Sequence, residues 1–514
     1  MTLGDVLDSL HGPGLLEAPA AIPARVRDAR AAGVVYDSRK ASPGSVFVAL
    51  RGQHADAAEF APQALSRGAA VVVAERGAPA GVDAPWIVVP DARLALAHLA
   101  DRYFGHPSGQ LRVVGITGTN GKTTTGYLIR SIFEAAGMPC GLMGTVVYSI
   151  GGEDREATRT TPEAPDVQAM LREMVDRSCT AAVMEVSSHA LALRRVDGIE
   201  FAAAVFTNLT RDHLDFHHDM EEYASAKRRL FEILPDAAPG VVNADDPAAP
   251  GFCRAAKRPV TYALRAAADV TAHDVSLTLN GLAFEARTPR GSLHLRSPLV
   301  GRPNVSNVLA AVATSVALDL PADAIERGVA NLSGVPGRFQ VVSNGTDDLT
   351  VIVDYAHTDD ALRNLLETAR NLAPGRLVTV FGCGGDRDRS KRPLMAAVAG
   401  RLSDIVVVTS DNPRTEDPAA IVDEILRGMP APAEHVLQVG VERRTVRGPE
   451  VHTVLDRRAA IERAIELAGP GDVVIVAGKG HEKYQVIGDR VLAFDDVDVA
   501  REALARRRSR LRVG

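Results

Sequence analysis

Residues 112–124 read RVVGITGTNGKTT and join a short apolar run, a glycine-rich loop and the start of a helix. The run 112–116 has the length and β-branched content of a buried strand. A helical pattern then continues to about Ala136, and Gly137 followed by Pro139 predicts a C-cap and a stop. This order is typical of a phosphate-binding loop, because backbone N–H groups and the helix N-terminus both turn toward a bound anion.

The loop itself predicts that ATP is bound here. We expect Lys122 to reach the β- and γ-phosphates and the Thr123 hydroxyl to bind Mg²⁺. The longer pattern GxxxxGK[ST] fails because residue 116 is Ile, and only the shorter GxxGK[ST] is present. A glycine turn followed by a surface lysine is the alternative interpretation, but the strand–loop–helix context favours the nucleotide. The candidate phosphate-binding residues are Gly118, Thr119, Asn120, Gly121, Lys122, Thr123 and Thr124.

Short apolar runs, each followed by a helical pattern, recur along the chain and predict an α/β fold with parallel sheets covered by helices. The runs form three sets, with polar joints at 105–109 and 333–337. We therefore expect three domains: residues 1–108, a central P-loop parallel-sheet ATPase at 109–334, and a Rossmann-like domain at 335–514. The runs are 34–36, 45–50, 70–73, 86–89, 112–116, 181–184, 203–206, 240–242, 350–353, 377–381, 405–408 and 473–476.

Composition narrows the functional class. The 514 residues carry a net charge of −6, which lacks the basic excess of a dedicated nucleic-acid binder. Four separated cysteines fit neither a disulfide framework nor a thiolate zinc site. No secretory signal or membrane-length apolar run is visible, so we expect a cytoplasmic protein. The basic stretch Arg506–Arg510 is interpreted as a solvated helix end.

Chemically rich loops follow the strand runs of the second and third sets. They include EVSSH, TNLTRDH, DYAHT, GCGGDRDR, SDNPR and GKGHE. In open parallel sheets, ligands bind beyond the carboxyl ends of the strands, so these loops predict two active surfaces that face each other. Ordinary turn chemistry could account for two or three of the loops, but hardly for all of them.

Residue types in the central segment suggest a magnesium site. Glu185 ends a strand run, where a carboxylate can serve as a Mg²⁺ partner. Taken alone, His189 and His213 would more often be surface or hydrogen-bonding residues than metal ligands. Taken alone, Lys227 would be a solvent-facing helix lysine.

Seven motifs together resemble one family, the ATP-dependent Mur ligases of bacterial peptidoglycan synthesis. They are, in order, GTNGKTTT, MEVSSHAL, FTNLTRDHLDFH, YASAKRRLF, VPGRFQ, DYAHT and GKGHE, and the resemblance covers about residues 34–490. GCGGDRDR at 382–389 and DNPR at 411–414 resemble the members that add meso-2,6-diaminopimelate. For those members the resemblance implies that ATP phosphorylates the D-Glu γ-carboxylate of UDP-MurNAc-L-Ala-D-Glu. The amine of diaminopimelate then attacks the acyl phosphate, and phosphate leaves.

The resemblance also implies roles for residues near the nucleotide. Lys122, Glu185, His213 and Lys227 form the implied catalytic set. Thr123 and Glu185 are expected at one Mg²⁺, and His213 with Glu185 at a second. Lys227 matches the lysine that the family carbamylates with CO₂, and a carbamate would supply an anionic oxygen ligand. Further residues are expected near ATP, namely Asn304, Arg338 and His357.

Substrate contacts are implied in the same way. The uridine-side loops supply Ser38, Gln53, His54 and Ala55, and the muramoyl-peptide contacts are Thr160, Thr161, Ser187, Leu193 and Arg195. The amino-acid pocket comprises Arg387, Asp411, Asn412, Pro413, Arg414, Gly478 and Glu482. Arg414 is the candidate selector for the distal carboxylate of diaminopimelate, because a guanidinium binds a carboxylate in bidentate fashion. The alternative for Arg414 is an arginine at a helix start.

Three departures from the family pattern and three rival functions remain open. Pro303 stands where an aromatic residue is frequent, Leu193 where some members have glutamine, and Asp359 where proline is common. The rivals are a sister ligase (a lysine-adding Mur ligase or folylpolyglutamate synthetase), a nucleotide-gated binding module without ligase activity, and a P-loop motor on nucleic acid. We expect a monomer that binds no nucleic acid, does not span a membrane, and closes its domains around the acyl phosphate.

Overall fold

The computed structural model describes residues 1–12, 14–16, 22–52, 56–372, 375–430, 435–439, 442–446 and 448–513. Its secondary structure divides into three principal sheets, each with helices packed against it, which confirms the predicted α/β class. All twelve apolar runs occupy strands. Within the described ranges, no helix is both long and apolar enough to cross a membrane.

The first sheet has four parallel strands in the order β1-β2-β3-β4. Its central strand β2 is buried along its whole length because helices or loops cover both of its faces. The strands are β1 (Gly33–Val35), β2 (Ser45–Ala49), β3 (Val71–Ala74) and β4 (Trp86–Val88). The helices of this part are α1 (Leu3–Leu7), α2 (Ala24–Arg27), α3 (Ala61–Ser66) and α4 (Ala92–Tyr103).

The second sheet has eleven strands in the order β15-β14-β13-β12-β11-β10-β5-β9-β6-β7-β8. The strands are β5 (Arg112–Thr117), β6 (Cys140–Met143), β7 (Val147–Ile150), β8 (Glu153–Glu156), β9 (Ala181–Glu185), β10 (Phe201–Phe206), β11 (Pro239–Asn243), β12 (Arg258–Ala263), β13 (Val270–Thr278), β14 (Gly281–Thr288) and β15 (Gly291–Ser297). The helices are α5 (Lys122–Ala135), α6 (Ala164–Asp176), α7 (Ser188–Ala192), α8 (Met220–Glu232), α9 (Ala249–Ala255), α10 (Arg302–Ala317) and α11 (Ala322–Asn331).

Register in this sheet places the phosphate loop between two other strand ends. Strand β5 is parallel to β9 on one side and to β10 on the other, with Ile116 opposite Glu185 and Thr117 opposite Phe206. All three strands therefore end at one edge, and the loops that follow them meet there.

The third sheet has six strands in the order β16-β17-β23-β18-β19-β22, parallel except for the edge strand β16. Apolar clusters cover both faces, as in a doubly wound fold. Its strands and two separate hairpins are β16 (Gln340–Val341), β17 (Thr350–Asp354), β18 (Leu377–Phe381), β19 (Ile405–Val408), β20 (His435–Val439), β21 (Glu442–Val446), β22 (Glu450–Thr453), β23 (Val473–Ala477), β24 (Tyr484–Ile487) and β25 (Arg490–Ala493). The helices are α12 (Asp359–Leu372), α13 (Lys391–Leu402), α14 (Pro418–Leu426), α15 (Arg457–Leu467) and α16 (Asp496–Val513).

The strands that the apolar runs did not predict are mostly the antiparallel ones. Strand β15, for example, alternates exposed and buried residues, so it contains no continuous apolar run. The proposed domain boundaries lie between the three sheets and stay a prediction.

The interpretation of Arg506–Arg510 as a solvated helix end holds for Arg506, Ser509 and Arg510, which are exposed near the end of α16, and is wrong for the half-buried Arg507 and Arg508. Arg507 pairs with Asp348 at 2.7 Å and donates to the carbonyl oxygens of Ile465 and Ala468, both at 2.8 Å. Arg506 and Arg508 pair with Glu462 and Asp347. These arginines fix the last helix to the third sheet unit, because α16 packs along α15 and brings them against acidic side chains.

Candidate functional site

The phosphate loop joins β5 to α5 and depends on two glycines with positive φ. Gly118 has φ +142° and Gly121 has φ +86°. A Cβ at Gly118 would collide with the Thr207 hydroxyl, and one at Gly121 with the side-chain oxygen of Asn307. Both positions therefore require glycine for backbone conformation and for space. Asn307, which the sequence reasoning missed, lies directly over the start of the helix.

Two lysines converge on one carbonyl oxygen of this loop. The Lys122 Nζ donates to Gly118 O at 2.9 Å and to Thr119 O at 2.8 Å, and the Lys227 Nζ donates to Gly118 O at 2.8 Å. Lys227 is 1% exposed, so the expectation of a solvent-facing lysine from residue type alone is wrong. Burial lowers the pKa of both amines, and for Lys227 the nearby charge of Lys122 adds to the effect.

Oxygen atoms that could bind a metal lie beside the first turn of α5. Buried Glu185 accepts hydrogen bonds from the Thr123 hydroxyl at 2.9 Å and from the Thr145 N–H and hydroxyl at 2.9 and 3.0 Å. This donor set fits Mg²⁺, which usually takes one or two carboxylates together with water and substrate phosphates. Among the described residues there is no group of three or more His, Cys, Asp or Glu side chains arranged to hold a metal.

A histidine of α7 and one of the loop after β10 lie side by side next to this edge. The rings of His189 and His213 are 4.9 Å apart, and the His213 Nε2 lies 3.5 Å from an Asp212 carboxylate oxygen. Burial lowers the pKa of His213 to about 4 and that of His189 to about 4. Both imidazoles are therefore neutral at pH 7, the form that can bind a metal.

The C-terminal part contributes polar side chains to the nucleotide side. The Arg338 guanidinium donates to the Thr123 hydroxyl at 3.3 Å and lies 4.4 Å from the centre of the Tyr355 ring. The His357 Nδ1 lies 3.0 Å from Tyr355 O. His481, which the sequence reasoning did not select, lies 5.0 Å from the same ring, and burial lowers its pKa to about 3.

Asn304 precedes Asn307, the residue beside Gly121, by about one turn of α10. Its side chain donates to Val300 O at 2.8 Å and accepts from the Asn307 amide at 2.9 Å. Pro303 occupies the first turn of α10, where proline is well tolerated, so this departure suits the helix start.

The candidate muramoyl-peptide residues are connected to Glu185. Thr161 donates to Glu185 O at 2.8 Å and accepts from the Ser187 N–H at 3.1 Å, and the Thr160 hydroxyl lies 3.1 Å from that of Thr145. Arg195 donates to Thr161 O at 3.0 Å and pairs with Glu163 at 2.7 Å. Leu193 is the C-cap of α7, the helix that Ser187 caps at its start.

The candidate residues for the uridine end of the substrate do not lie among these residues. Ser38 is buried in the first sheet unit and donates to the Gln63 side chain at 2.6 Å. Gln53, His54 and Ala55 lie outside the described residues. The first unit contacts the second through the Tyr36 hydroxyl, which donates to Asp166 at 3.0 Å.

Two guanidiniums mark the amino-acid pocket. The half-buried Arg414 donates from Nη1 to Gly385 O at 2.6 Å, and the exposed Arg387 donates to Asp386 O at 2.9 Å. In the part of the chain that the structure describes, neither has a carboxylate within 4.0 Å. Arg414 precedes Asp417, the N-cap of α14, by three residues, so the alternative of an arginine before a helix start stays open. Both side chains therefore keep donors for an anionic ligand.

Acidic and amide groups form the rest of the pocket. The Asn412 amide donates to Glu482 at 2.9 Å, and burial raises the pKa of Glu482. Lys479, also missed by the sequence reasoning, is fully buried and lies 2.9 Å from Asn412 Oδ1, 3.3 Å from Glu482 and 3.6 Å from Asp411. Its charge holds these three side chains together.

Glycines allow the pocket loops to pack closely. Gly478 has φ +119°, and a Cβ there would lie 2.7 Å from the Asp411 carboxylate. The carbonyl of Pro413 lies against Gly385 so closely that no side chain would fit.

One cleft of about 1300 Å³ lies between the second and third sheet units. Its walls include Thr160 and His213 from the second unit, and His357, Arg387, Asp411, Asn412, Arg414, Gly478 and Glu482 from the third. Several candidates are not among the residues that line it, namely Ser38, residues 118–124, Thr161, Glu185, Ser187, Leu193, Arg195, Lys227, Asn304, Arg338 and Pro413. The two loop surfaces expected from the sequence thus face each other across this cleft.

The fold and the site define a P-loop nucleotide-binding protein with a second, charged pocket on a neighbouring α/β unit. Sequence models of three families match: the Mur ligase family catalytic domain at 30–104, the Mur ligase middle domain at 116–315, and the Mur ligase glutamate ligase domain at 337–480. The chain belongs to the Mur ligase family.

Relatives and solved structures agree with this assignment. A UDP-N-acetylmuramoyl-L-alanyl-D-glutamate–2,6-diaminopimelate ligase of Gloeobacter violaceus is 48% identical over 482 residues, 93% of this chain and 95% of its own length. The ligase of the same name from Solibacter usitatus is 46% identical over 98% of each chain. A solved structure of a protein so named is 34% identical, covers 99% of each chain and has a TM-score of 0.68. A folylpolyglutamate synthase of Mycobacterium tuberculosis, 19% identical with a TM-score of 0.61 over 81% of this chain and 94% of its own, shares the fold.

Proposed function

We propose that the protein is an ATP-dependent, ADP-forming ligase that adds meso-2,6-diaminopimelate to the D-Glu γ-carboxylate of UDP-MurNAc-L-Ala-D-Glu in peptidoglycan precursor synthesis. The observation that carries the proposal is the cleft, where His213 of the P-loop unit faces Arg387 and Arg414, neither of which pairs with a carboxylate among the described residues. The names of relatives that are 46–48% identical over more than nine-tenths of the chain support it. A solved MurF ligase of Thermotoga maritima in complex with ADP supports the use of ATP.

In the first step, a γ-carboxylate oxygen of D-glutamate attacks the γ-phosphorus of ATP and ADP leaves. Lys122 is placed to neutralise charge on the transferred phosphoryl group once its amine leaves the two loop carbonyls for the phosphates. The backbone N–H groups of Gly118–Thr124 orient the phosphates. The carboxylate is thereby given a phosphate leaving group.

Thr123, Glu185 and His213 are the residues that would hold Mg²⁺. The ion would supply positive charge that neutralises the phosphate oxygens. The hydroxyl and carboxylate of the first two are already in contact, and the imidazole of His213 is neutral at pH 7.

Lys227 is the proposed site of carbamylation. Two ammonium groups sharing the Gly118 carbonyl would repel each other. Burial, with no carboxylate in contact with the amine among the described residues, favours a neutral Lys227. A neutral amine can attack the carbon of CO₂ and lose one proton, which leaves an anionic carbamate. The repulsion from Lys122 would then become an attraction, and an anionic oxygen would be added to the metal site.

In the second step, a diaminopimelate amine that has lost its proton attacks the acyl carbon. The tetrahedral intermediate then expels phosphate and leaves an amide. We propose that Arg414, with Arg387, binds the distal carboxylate and that Glu482, held by Asn412 and Lys479, accepts from the distal ammonium. L-Lysine lacks that carboxylate, so this pocket would select against it. We expect the enzyme to act in the cytoplasm as a monomer.

The test is phosphate release from ATP and Mg²⁺ with UDP-MurNAc-L-Ala-D-Glu, adding meso-diaminopimelate or L-lysine in parallel. Release that depends on the dipeptide substrate and on diaminopimelate supports the proposal. Equal release with L-lysine would keep the ligase and remove the selectivity. No release with either amino acid would favour a folate-type ligase or a binding module without ligase activity.

A further inference from the structure

An arginine between the two halves of the cleft has no part in the mechanism above. Arg211 lies in the loop after β10, two residues before His213. Its Nη1 donates to the Ser390 hydroxyl at 3.0 Å and lies 3.8 Å from an Asp388 carboxylate oxygen, while its Nη2 lies 3.5 Å from an Asp359 carboxylate oxygen. All three partners belong to the third sheet unit, so one side chain of the second unit contacts two separate loops of the third.

Those two loops serve different parts of the pocket. Asp359 begins α12, directly after the segment that carries His357. Asp388 and Ser390 end the loop 384–390, which carries Arg387 and whose Gly385 carbonyl receives Arg414. The Ser390 N–H donates to Asp388 at 2.8 Å, so the partners of Arg211 also bind each other.

We propose that Arg211 is a positioning residue that holds the loop 384–390 against the ATP-binding half of the cleft, with Asp359 and Asp388 as its anionic partners. The inference rests on the proposed function, because the pocket it orders is the diaminopimelate pocket. Two partly buried ion pairs and one exposed hydrogen bond connect the units, and two of these three contacts hold the loop itself, through Asp388 and Ser390.

The contribution of Asp359 can be tested separately from the helix that it begins. The first position of a helix accepts proline readily, and Thr358 already caps the helix by accepting from the Ala361 N–H at 3.2 Å. Asp359→Pro therefore deletes the carboxylate with little expected damage to α12.

The experiment compares Arg211→Gln, Asp359→Pro and their double variant, with Arg363→Gln as the matched control. Arg363 lies 4.0 Å from Asp359 and 3.6 Å from Asp360 within α12, so it contacts the same acidic segment without crossing the cleft. We expect Arg211→Gln to raise the KM for diaminopimelate about three- to tenfold while the KM for ATP changes less than about twofold. The double variant should lose no more than Arg211→Gln alone, because both changes remove the same contact.

Amide hydrogen exchange of the unliganded enzyme gives a second readout that needs no ligation. Exchange of residues 384–390 should be faster in Arg211→Gln and unchanged in Arg363→Gln. Arg211→Lys should restore most of the protection, because none of the three contacts is a bidentate pair with a carboxylate. Unchanged exchange and unchanged KM in a folded Arg211→Gln variant would overturn the proposal. Faster exchange in an enzyme that fails to ligate diaminopimelate would support the positioning role and reject the proposed function.

Discussion

Replacing Lys227 with methionine should leave the protein at least as stable while removing most of its activity. Methionine has nearly the same length and fits the space between Tyr223 and the phosphate loop, where the Lys227 amine lies 4.5 Å from the ring centre. Gly118 O keeps a donor after the change, because Lys122 also donates to it at 2.9 Å. The substitution therefore leaves no unsatisfied backbone carbonyl.

The expected change in the free energy of unfolding is the sum of opposing contributions. Losing the Lys227 hydrogen bond costs about 1 kcal/mol. Removing the buried amine gains several kcal/mol, since burying the ammonium, or removing its proton below its ordinary pKa, costs free energy of that order. We expect the free energy of unfolding at pH 7 to be unchanged or up to about 2 kcal/mol higher. Loss of a positioned anionic ligand should lower kcat about 10²- to 10³-fold, by analogy with the loss of other preorganised electrostatic groups.

The pH dependence of stability supplies an internal check. Because the pKa of Lys227 is lowered in the folded state, the unfolded chain binds more protons between that pKa and the ordinary value of about 10.4. In CO₂-depleted buffer, wild-type stability should therefore gain from this group as pH rises through that window, and Lys227→Met should lack that gain. Urea unfolding across this pH range and phosphate release at pH 7 measure the two effects.

Lys257→Met is the control, because Lys257 is exposed and is not among the residues that line the cleft. It should leave both stability and kcat nearly unchanged. Full activity of Lys227→Met would refute the catalytic role of Lys227. A loss of several kcal/mol of stability together with activity would show instead that Lys227 is a structural residue.

Three further changes test other parts of the site. Arg414→Ala should raise the KM for diaminopimelate about 10²- to 10³-fold by removing two charge-assisted hydrogen bonds, with little effect on any residual reaction of L-lysine; initial-rate kinetics would measure both. Glu185→Gln keeps the shape and loses the charge beside Thr123, so it should lower kcat about 10²-fold or more and raise the Mg²⁺ concentration needed for half-maximal rate, as a magnesium titration would show. The His213 imidazole, with a pKa of about 4, should stay neutral down to about pH 5. We therefore expect no decline of kcat from this group between pH 8 and pH 6. An inflection near pH 6.5 in the rate profile that depends on His213 would contradict its burial.

The sequence was most informative where one local pattern determines both structure and chemistry. The glycine loop after β5 and the carboxylate at the end of β9 lie where strand and motif patterns predicted them, because a parallel sheet puts strand ends at one edge. Polar antiparallel strands such as β8 and β15 were not predicted, because they contain no continuous apolar run.

For some site residues that were not predicted, the sequence did contain an indication of their position. In α8, Lys227 follows Tyr223 by four residues and precedes Leu230 and Phe231 by three and four, so it lies on the apolar stripe of the helix. Lys479 and His481 fall inside the loop GKGHE directly after a buried strand.

Other features carry no local signal. The contacts of Arg211 with Asp359 and Asp388 depend on how two units are placed, and neither hydrophobic periodicity nor loop chemistry encodes that placement. The same holds for the pairing of the C-terminal arginines with Asp347 and Asp348, which brings together residues separated by about 160 positions in the chain.

The central claim is that the γ-carboxylate is activated as an acyl phosphate. The direct test uses UDP-MurNAc-L-Ala-D-Glu whose γ-carboxylate carries oxygen-18, incubated with ATP, Mg²⁺ and meso-diaminopimelate, followed by mass spectrometry of the released phosphate. The mechanism predicts one labelled oxygen in each phosphate and one in each amide product, because the carboxylate oxygen that attacks phosphorus leaves with it. Unlabelled phosphate accompanying the amide product would contradict the acyl phosphate route.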